Sequence, residues 1–420
     1  MQGVRIEVTG IVQGVGFRPY VHRLASALGL VGSVGNDSTK VFIEVAGDGI
    51  DEFARRLVDE APPLATIEGV TTESADVIAD GFRIVESRSV PGERTLVPPD
   101  STVCDDCLAE LFDPADRRHR HPFINCTNCG PRFTIITDLP YDRPSTTMAG
   151  FPMCEACEGE YTDPADRRYH AQPIACPDCG PTLTYTGGDD PIRDAARDLA
   201  EGAIVAIKGL GGFHLACDAS SDEAIERLRE RKHRPDKPFA VMVPDLDLAG
   251  DLGVVDESAD LLLRSPARPI VLVEQRAGSS LSALVAPGNP MVGLLLPYTP
   301  VHHLLLEAFG WSLVMTSANA SGAPIIHRAE DEHLLGALAD QVLTHDRPIH
   351  IPCDDSVVRV VGDRLLPIRR ARGYAPVPVP LDLGAQVLAT GAELKNTACV
   401  ASAGHAWVSQ HVGDMENLET

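Results

Sequence analysis

Eight of the eleven cysteines in this 420-residue chain form four Cys-x-x-Cys pairs: Cys104 with Cys107, Cys126 with Cys129, Cys154 with Cys157, and Cys176 with Cys179. They repeat as Cys-x2-Cys-x18-Cys-x2-Cys, the second copy starting 50 residues after the first. Four thiolates on two short knuckles, joined by a spacer that can fold back, suit a tetrahedral zinc ion. The copies match beyond the cysteines, since Asp113-Pro114-Ala115-Asp116-Arg117-Arg118 recurs as Asp163-Pro164-Ala165-Asp166-Arg167-Arg168. Redox chemistry is the other use of such pairs, but four pairs in two matched copies favour metal, so two Zn2+ per chain are expected. Each repeat could close its own site, or the pairs could nest between repeats. Duplication favours the first arrangement, because each unit was once self-sufficient. His119, His121 and His170 lie in the spacers as possible ligands, though four thiols already complete a site.

A second chemistry belongs to Gly10-Ile11-Val12-Gln13-Gly14-Val15-Gly16-Phe17-Arg18, which leaves a strand pattern, turns through glycines and enters a helix. Backbone N–H groups of Gln13, Gly14, Val15, Gly16 and Phe17 can converge there, the helix N-terminus adds positive potential, and Arg18 can fork onto a tetrahedral oxyanion. The plainer reading is a tight turn with a solvent-facing arginine.

The third set is basic. Arg231-Lys232-His233-Arg234-Pro235-Asp236-Lys237-Pro238 places Lys232, Arg234 and Lys237 where a helical pattern ends and an apolar strand begins. The helix dipole alone favours cations at that end, yet the cluster can also grip a triphosphate. Thr316-Ser317-Ala318-Asn319-Ala320-Ser321-Gly322 follows a strand and offers donors from Ser317 and Asn319 at a strand end, where ligands of open α/β sheets collect. No Walker A motif occurs, which excludes a P-loop mechanism.

These residues need elements to hold them. Residues 1–90 read as strand, helix, strand, strand, helix, strand, with Val4, Ile6 and Val8 alternating, Val21, Leu24, Ala25 and Leu28 on one helical face, and Phe53 and Leu57 on another. That βαββαβ order predicts a ferredoxin-like α/β sandwich. Pro91-Gly92 and Pro98-Pro99 mark a linker, residues 100–185 the duplicated cysteine module, and residues 190–373 a larger α/β domain with strands near 204–207, 240–243, 270–273 and 313–315. Pro376, Pro378 and Pro380 form a second linker, and residues 381–420 remain. The fold class is therefore multidomain α/β. Cys217, Cys353 and Cys399, in apolar contexts, read as buried small hydrophobes.

Composition narrows the partners. Lys+Arg 36 against Asp+Glu 60 gives a net charge of −24, and residues 100–181 carry 7 basic against 14 acidic side chains. A field of that sign opposes nucleic acid and anionic membranes, so no nucleic-acid or membrane partner is expected and anions must be caught locally. No apolar run is long enough to span a bilayer, and the charged, alternating N-terminus is unlike a secretory signal, so a cytoplasmic protein is expected.

Residues 1–90 resemble the acylphosphatases, whose Gly-x-Val-Gln-Gly-Val-x-Phe-Arg signature is complete at residues 10–18. The resemblance implies that Arg18 and the loop amides bind a phosphoryl group and that Asn36 orients the attacking water. Free acylphosphatases usually continue that asparagine into an Asp-Gly turn, whereas this chain has Asp37-Ser38-Thr39-Lys40. Residues 190–373 resemble the YrdC family through Lys208-Gly209-Leu210-Gly211-Gly212, Lys232 with Arg234, Ser317 with Asn319, Asp354-Asp355-Ser356 and Arg369-Arg370-Ala371-Arg372-Gly373. That family binds ATP and a carboxylate and forms an acyl-adenylate. The implied nucleotide set is Lys232, Arg234, Lys237, Ser317, Asn319, Arg370 and Arg372.

The order of acylphosphatase-like, duplicated cysteine and YrdC-like regions resembles the HypF carbamoyltransferase family of nickel–iron hydrogenase maturation. Gly391-Ala392-Glu393-Leu394-Lys395-Asn396-Thr397 and Ser409-Gln410-His411-Val412-Gly413-Asp414 look like the opening of its last, sugar-kinase-like domain. The resemblance implies hydrolysis of carbamoyl phosphate, adenylation of the carbamate with ATP (with Mg2+), and transfer of the carbamoyl group to the C-terminal cysteine of HypE. Carbamate is unstable in water, which gives a physical reason to keep the steps on one polypeptide. Residues 381–420 are too few for a core of their own, so the expectation is a fragment or half of a split protein, unable alone to carbamoylate HypE. Two other readings are a docking module with vestigial sites and a threonylcarbamoyl-adenylate synthase for tRNA modification.

Overall fold

The structure, a computed structural model, describes residues 2–88, 96–320, 322–362, 364–402, 404–413 and 415. Pro91-Gly92, Ser321, Asp414 and residues 416–420 of the motifs and linkers above lie outside the described residues. The chain divides into two compact units: Met1–Pro98, Cys104–Cys107 and Ile124–Gly180 in one, and Pro99–Val103, Leu108–Phe123 and Pro181–Thr420 in the other.

In the first unit, β1 (Gln2–Ile11), β2 (Val31–Asn36), β3 (Val41–Ala46), β4 (Thr66–Asp76) and β5 (Phe82–Ile84) form a sheet in the order β4-β1-β3-β2-β5. The first four strands pair antiparallel, as a ferredoxin-like sandwich requires, and β5 adds a parallel edge to β2. Period-two alternation buries Ile6 and Val8. Helix α1 (Phe17–Ala27) buries Val21, Leu24 and Ala25, and α2 (Ile50–Asp59) buries Phe53 and Leu57. The alternation and helical faces in the sequence point to this sandwich, and the strand-like stretches at 67–72 and 82–85 fall on β4 and β5, which the βαββαβ order counts as one strand where the structure has two.

Each cysteine repeat opens with a short helix, α3 (Asp105–Phe112) and α4 (Glu155–Thr162), starting one residue after its first cysteine. That start sets the second cysteine of the pair in the first helical turn.

The second unit is built on a sheet of β6 (Leu183–Tyr185), β7 (Val205–Lys208), β8 (Phe213–Asp218), β9 (Ala240–Met242), β10 (Ile270–Glu274), β11 (Met291–Leu295), β12 (Leu313–Ser317), β13 (Gln341–His345), β14 (Val357–Val361) and β15 (Arg364–Arg369). Its order is β15-β14-β10-β11-β9-β12-β8-β7-β13-β6, with parallel and antiparallel neighbours mixed. Helices α5 (Pro191–Ala200), α6 (Asp222–Lys232), α7 (Leu246–Leu252), α8 (Glu257–Arg264) and α9 (Pro300–Phe309) cover two apolar cores. Alternation sorts the strands between them: Phe213, Leu215, Cys217 and Val314 join the core with Ile225 and Leu228 of α6, while Ala216, Leu313 and Met315 join that of α5 and α9. Cys217 and Cys353 are buried as expected, and Cys399 is only half-buried.

Strands β16 (Val379–Pro380), β17 (Val387–Thr390), β18 (Ala398–Ser402) and β19 (His405–Val408) form a small sheet in the order β16-β19-β18-β17. Ala401 and Ala406 are its buried apolar residues among those described, and Leu388 and Val400 are exposed. The sheet thus has little core of its own. No helix among the described residues is long and apolar enough to cross a membrane.

Candidate functional site

Strand β1 delivers the glycine loop to α1. Gly14 and Gly16 hold φ of 69° and 76°, a region that side-chain-bearing residues avoid, and Gly16 caps the helix. The backbone N–H groups of residues 13–18 find no acceptor among the described residues. Donors left unpaired at a helix N-terminus form an anion site. Arg18 is buried beside them; its Nη1 donates to Ser87 Oγ at 3.1 Å and its Nη2 to Asp142 Oδ1 at 3.0 Å. Asn36, at the end of β2, is 0% exposed, yet neither polar atom of its amide has a partner among the described residues. A buried amide left so costs about 1–3 kcal/mol, which a fold retains for a reason. Gln13 Nε2 donates to the Asp37 carbonyl at 2.7 Å, tying the loop to the residue after Asn36. Where an Asp-Gly turn is usual, the Asp37 carboxylate accepts from the Thr39 and Lys40 amides at 2.7 and 2.9 Å and closes the turn.

Sequence reasoning missed the other wall of this cleft. Thr127, Arg132, Tyr141, His170 and Gln172, all from the cysteine module, line it with the loop. Burial, then the charge of Arg18, pushes the His170 imidazole down to about 4, so it faces the cleft neutral. Of these residues only His170 drew notice in the sequence, as a spare zinc ligand. Nothing in local spacing signals a fold-back of this kind.

Each repeat gathers its own four sulfurs. Cys104, Cys107, Cys126 and Cys129 form one cluster and Cys154, Cys157, Cys176 and Cys179 the other, each with all Sγ atoms within 4.8 Å. The sulfurs gather within each repeat and not between repeats, and among the described residues no histidine belongs to either cluster. Sγ separations are 3.6 Å for Cys104 and Cys126, 3.8 Å for Cys126 and Cys129, and 3.7 Å for Cys154 and Cys176. A tetrahedron with Zn–S bonds of about 2.3 Å has edges of about 3.8 Å, so the clusters fit zinc. Hydrogen bonds from Cys107, Cys126 and Cys129 hold the Cys104 thiol well below its usual range. Burial works against the Cys154 thiolate, but the Cys157 amide and neighbouring thiols outweigh it and bring it down to about 7.

In the second unit, Ser221 caps α6 and His233 ends it in the left-handed region at φ 50°. This turn aims Lys232 at the end of β12: its Nζ donates to the carbonyls of Ser317 and Asn319, both at 2.7 Å, and to Asn319 Oδ1 at 3.0 Å. Ser317 Oγ donates to the same Oδ1 at 2.9 Å. Burial, then the charge of Arg234, pushes the Lys232 ammonium down to about 7, and burial with Arg229 and Arg369 nearby lowers Arg234 to about 10. The Arg234 guanidinium lies over Phe239, 5.0 Å from the ring centre. Lys237 is exposed on the same turn. The structure therefore brings together Lys232, Arg234, Ser317 and Asn319, with Arg369 acting on Arg234.

Arg370 and Arg372 are not brought to that group. Arg370 Nη1 donates to the Val408 carbonyl at 2.5 Å and Nη2 to the Tyr374 and Val377 carbonyls. Arg372, 1% exposed, spends all three nitrogens inside the fold: Nε on Asp355 Oδ1 at 2.8 Å, Nη1 and Nη2 on the Ala267 and Arg268 carbonyls, both at 2.9 Å. Asp355 also bonds His214 Nε2 at 2.8 Å. These arginines brace the sheet, apart from the group assembled around Lys232. Their neighbour Arg369, in the same motif, is the one that senses Arg234.

The chain joins an acylphosphatase-like anion loop, a double four-cysteine finger and a lysine-centred site on a large α/β sheet. Family models follow that division: Acylphosphatase matches residues 4–84, HypF finger residues 103–136 and 153–186, the Sua5/YciO/YrdC model described as telomere recombination residues 197–371, and HypF Kae1-like domain residues 382–420. Carbamoyltransferase HypF2 of Cupriavidus necator is 51% identical over 99% of this chain and 56% of its own length, and carbamoyltransferase HypF of Rhizobium leguminosarum 52% over 99% and 55%. A crystal structure of full-length HypF in a phosphate- and nucleotide-bound form superposes with a TM-score of 0.96 at 45% identity, covering 100% of this chain and 57% of that one. The chain belongs to the HypF carbamoyltransferase family. It spans a little over half the length of the relatives it matches.

Proposed function

We propose that this chain hydrolyses carbamoyl phosphate and adenylates the product with ATP, serving carbamoylation of HypE in nickel–iron hydrogenase maturation. In the first step, water attacks phosphorus and the acyl oxygen leaves as carbamate. Arg18 and the amides of Gln13, Gly14, Val15, Gly16 and Phe17 hold the phosphoryl oxygens, and Asn36 orients the water. In the second, a carbamate oxygen attacks the α-phosphorus of ATP and pyrophosphate departs. Lys232, Arg234 and Lys237 offset phosphate charge there, while Ser317 and Asn319 hold the nucleotide. Mg2+, carried with ATP, would supply further charge neutralisation. Two Zn2+ would hold the knuckles of the finger repeats.

The observation that carries the reading is the fully buried, unpartnered Asn36 amide beside a loop of unpaired N–H donors. A vestigial docking module has no reason to retain that cost. The proposed division is residues 1–90, 100–185, 190–373 and 381–420, and transfer to HypE is assigned to the last domain type together with the part of its relatives that this chain does not span.

The test is incubation with carbamoyl phosphate and ATP. Phosphate, pyrophosphate and carbamoyl-AMP, identified by mass spectrometry, are expected. Arg18→Ala should abolish phosphate release, and Lys232→Ala with Arg234→Ala should stop adenylate formation alone. A threonine requirement for adenylate formation would favour the tRNA-modification reading, and absence of phosphate release would favour the docking module.

A further inference from the structure

Arg132 is the arginine of Cys129-Gly130-Pro131-Arg132 that closes the first cysteine repeat, and it is 1% exposed. Its Nη1 donates to the carbonyls of Cys129 and Pro131 at 3.0 and 2.8 Å, and its Nη2 to that of Thr127 at 2.9 Å. Those bonds anchor the guanidinium on the knuckle of Cys126 and Cys129. The remaining nitrogen, Nε, reaches out of the knuckle and donates to the Gly14 carbonyl at 2.5 Å.

A peptide is planar and trans, so the carbonyl of one residue and the N–H of the next point in opposite directions. Fixing the Gly14 oxygen on Arg132 therefore fixes the direction of the Val15 N–H, one of the loop donors with no acceptor among the described residues. Gly14, the first residue of that peptide, sits at positive φ, and a glycine peptide reorients easily unless something holds it. The knuckle also packs on the loop. A Cβ on Gly16 would meet Asn128 Oδ1 at 2.6 Å, and one on Gly14 would meet the Tyr141 ring at 2.9 Å.

We propose that Arg132 is a positioning residue for the phosphoryl site, holding the Gly14–Val15 peptide so that the Val15 amide is presented to the anion. The zinc knuckle then serves the hydrolytic step as the frame on which the anion loop is set. Arg132 touches no substrate in this account; its charge is consumed by carbonyls. The inference rests on the loop being the phosphate site.

The experiment titrates inorganic phosphate into zinc-replete 15N-labelled protein, and into Arg132→Gln and Arg132→Lys. In the wild type the Val15 amide resonance should shift on saturation. Arg132→Gln should keep two zinc ions and its melting temperature, weaken phosphate about tenfold, and raise KM for carbamoyl phosphate by the same factor with little change in kcat. Arg132→Lys, which keeps one donor for Gly14, should recover much of that loss. A purely structural role would instead lower the active fraction, and so kcat, at unchanged KM. Phosphate affinity within twofold of wild type in a folded, zinc-loaded Arg132→Gln overturns the proposal. So does a silent Val15 amide in wild-type protein that binds phosphate, a result that needs no variant to fold. Wild-type protein that binds no phosphate would instead overturn the site reading beneath it.

Discussion

Arg18 Nη2 donates to Asp142 Oδ1 at 3.0 Å, so the arginine of the anion loop is already paired with a carboxylate from the segment between the two finger repeats. Asp142 has a side chain 30% exposed, and solvent screens much of its field. Its charge still opposes any anion drawn to Arg18, by about 1 kcal/mol at such range. Asp142→Asn should therefore tighten binding of inorganic phosphate about fivefold, read by calorimetry. Weaker binding would show that Asp142 holds Arg18 in place rather than competing for it.

The cysteine clusters predict two independent zinc ions. Metal analysis of protein purified without chelator should give two equivalents, and replacing Cys104 and Cys126 by serine should remove one while the Cys154 cluster stays filled. Loss of both in that variant would contradict self-contained repeats.

Lys232 predicts a proton linkage. With its pKa near 7 because of burial and Arg234, it is largely neutral at pH 8 in the free protein and charged at pH 6. A triphosphate beside it favours the ammonium and raises that pKa. ATP binding should therefore take up as much as about one proton at pH 8 and close to none at pH 6, and ATP affinity should fall as pH rises through 7. Calorimetry in buffers of different ionisation enthalpy measures the proton count; proton release at pH 8 would place Lys232 away from the phosphates.

Arg372 should behave as part of the core. Removing it leaves the buried Asp355 carboxylate without its cation, with His214 and Tyr298 as neighbouring side-chain partners. Arg372→Ala should cost about 3–5 kcal/mol and lower the melting temperature by roughly 10 °C. A stable variant with weakened ATP binding would restore Arg372 to the nucleotide site.

The parts legible from the sequence were those whose chemistry is local. Cys-x-x-Cys spacing brings two sulfurs together on one knuckle whatever the rest of the chain does, and residues 10–18 carry in order the glycines, the helix start and the arginine that an anion loop needs. Alternation and helical periodicity likewise marked both α/β regions, because burial of one face is a property of each strand or helix. The rest depended on contacts between residues far apart in sequence. Arg18 finds Asp142 across 124 positions and Arg132 finds Gly14 across 118. Arg369, Arg370 and Arg372 read alike in a basic run, yet Arg369 donates to the Asp355 carbonyl with its charge bearing on Arg234, Arg370 is consumed by carbonyls, and Arg372 pairs with the Asp355 carboxylate. A guanidinium binds whichever acceptors the packed chain brings within 3 Å, and only the tertiary structure decides whether those acceptors belong to the protein or to its ligand.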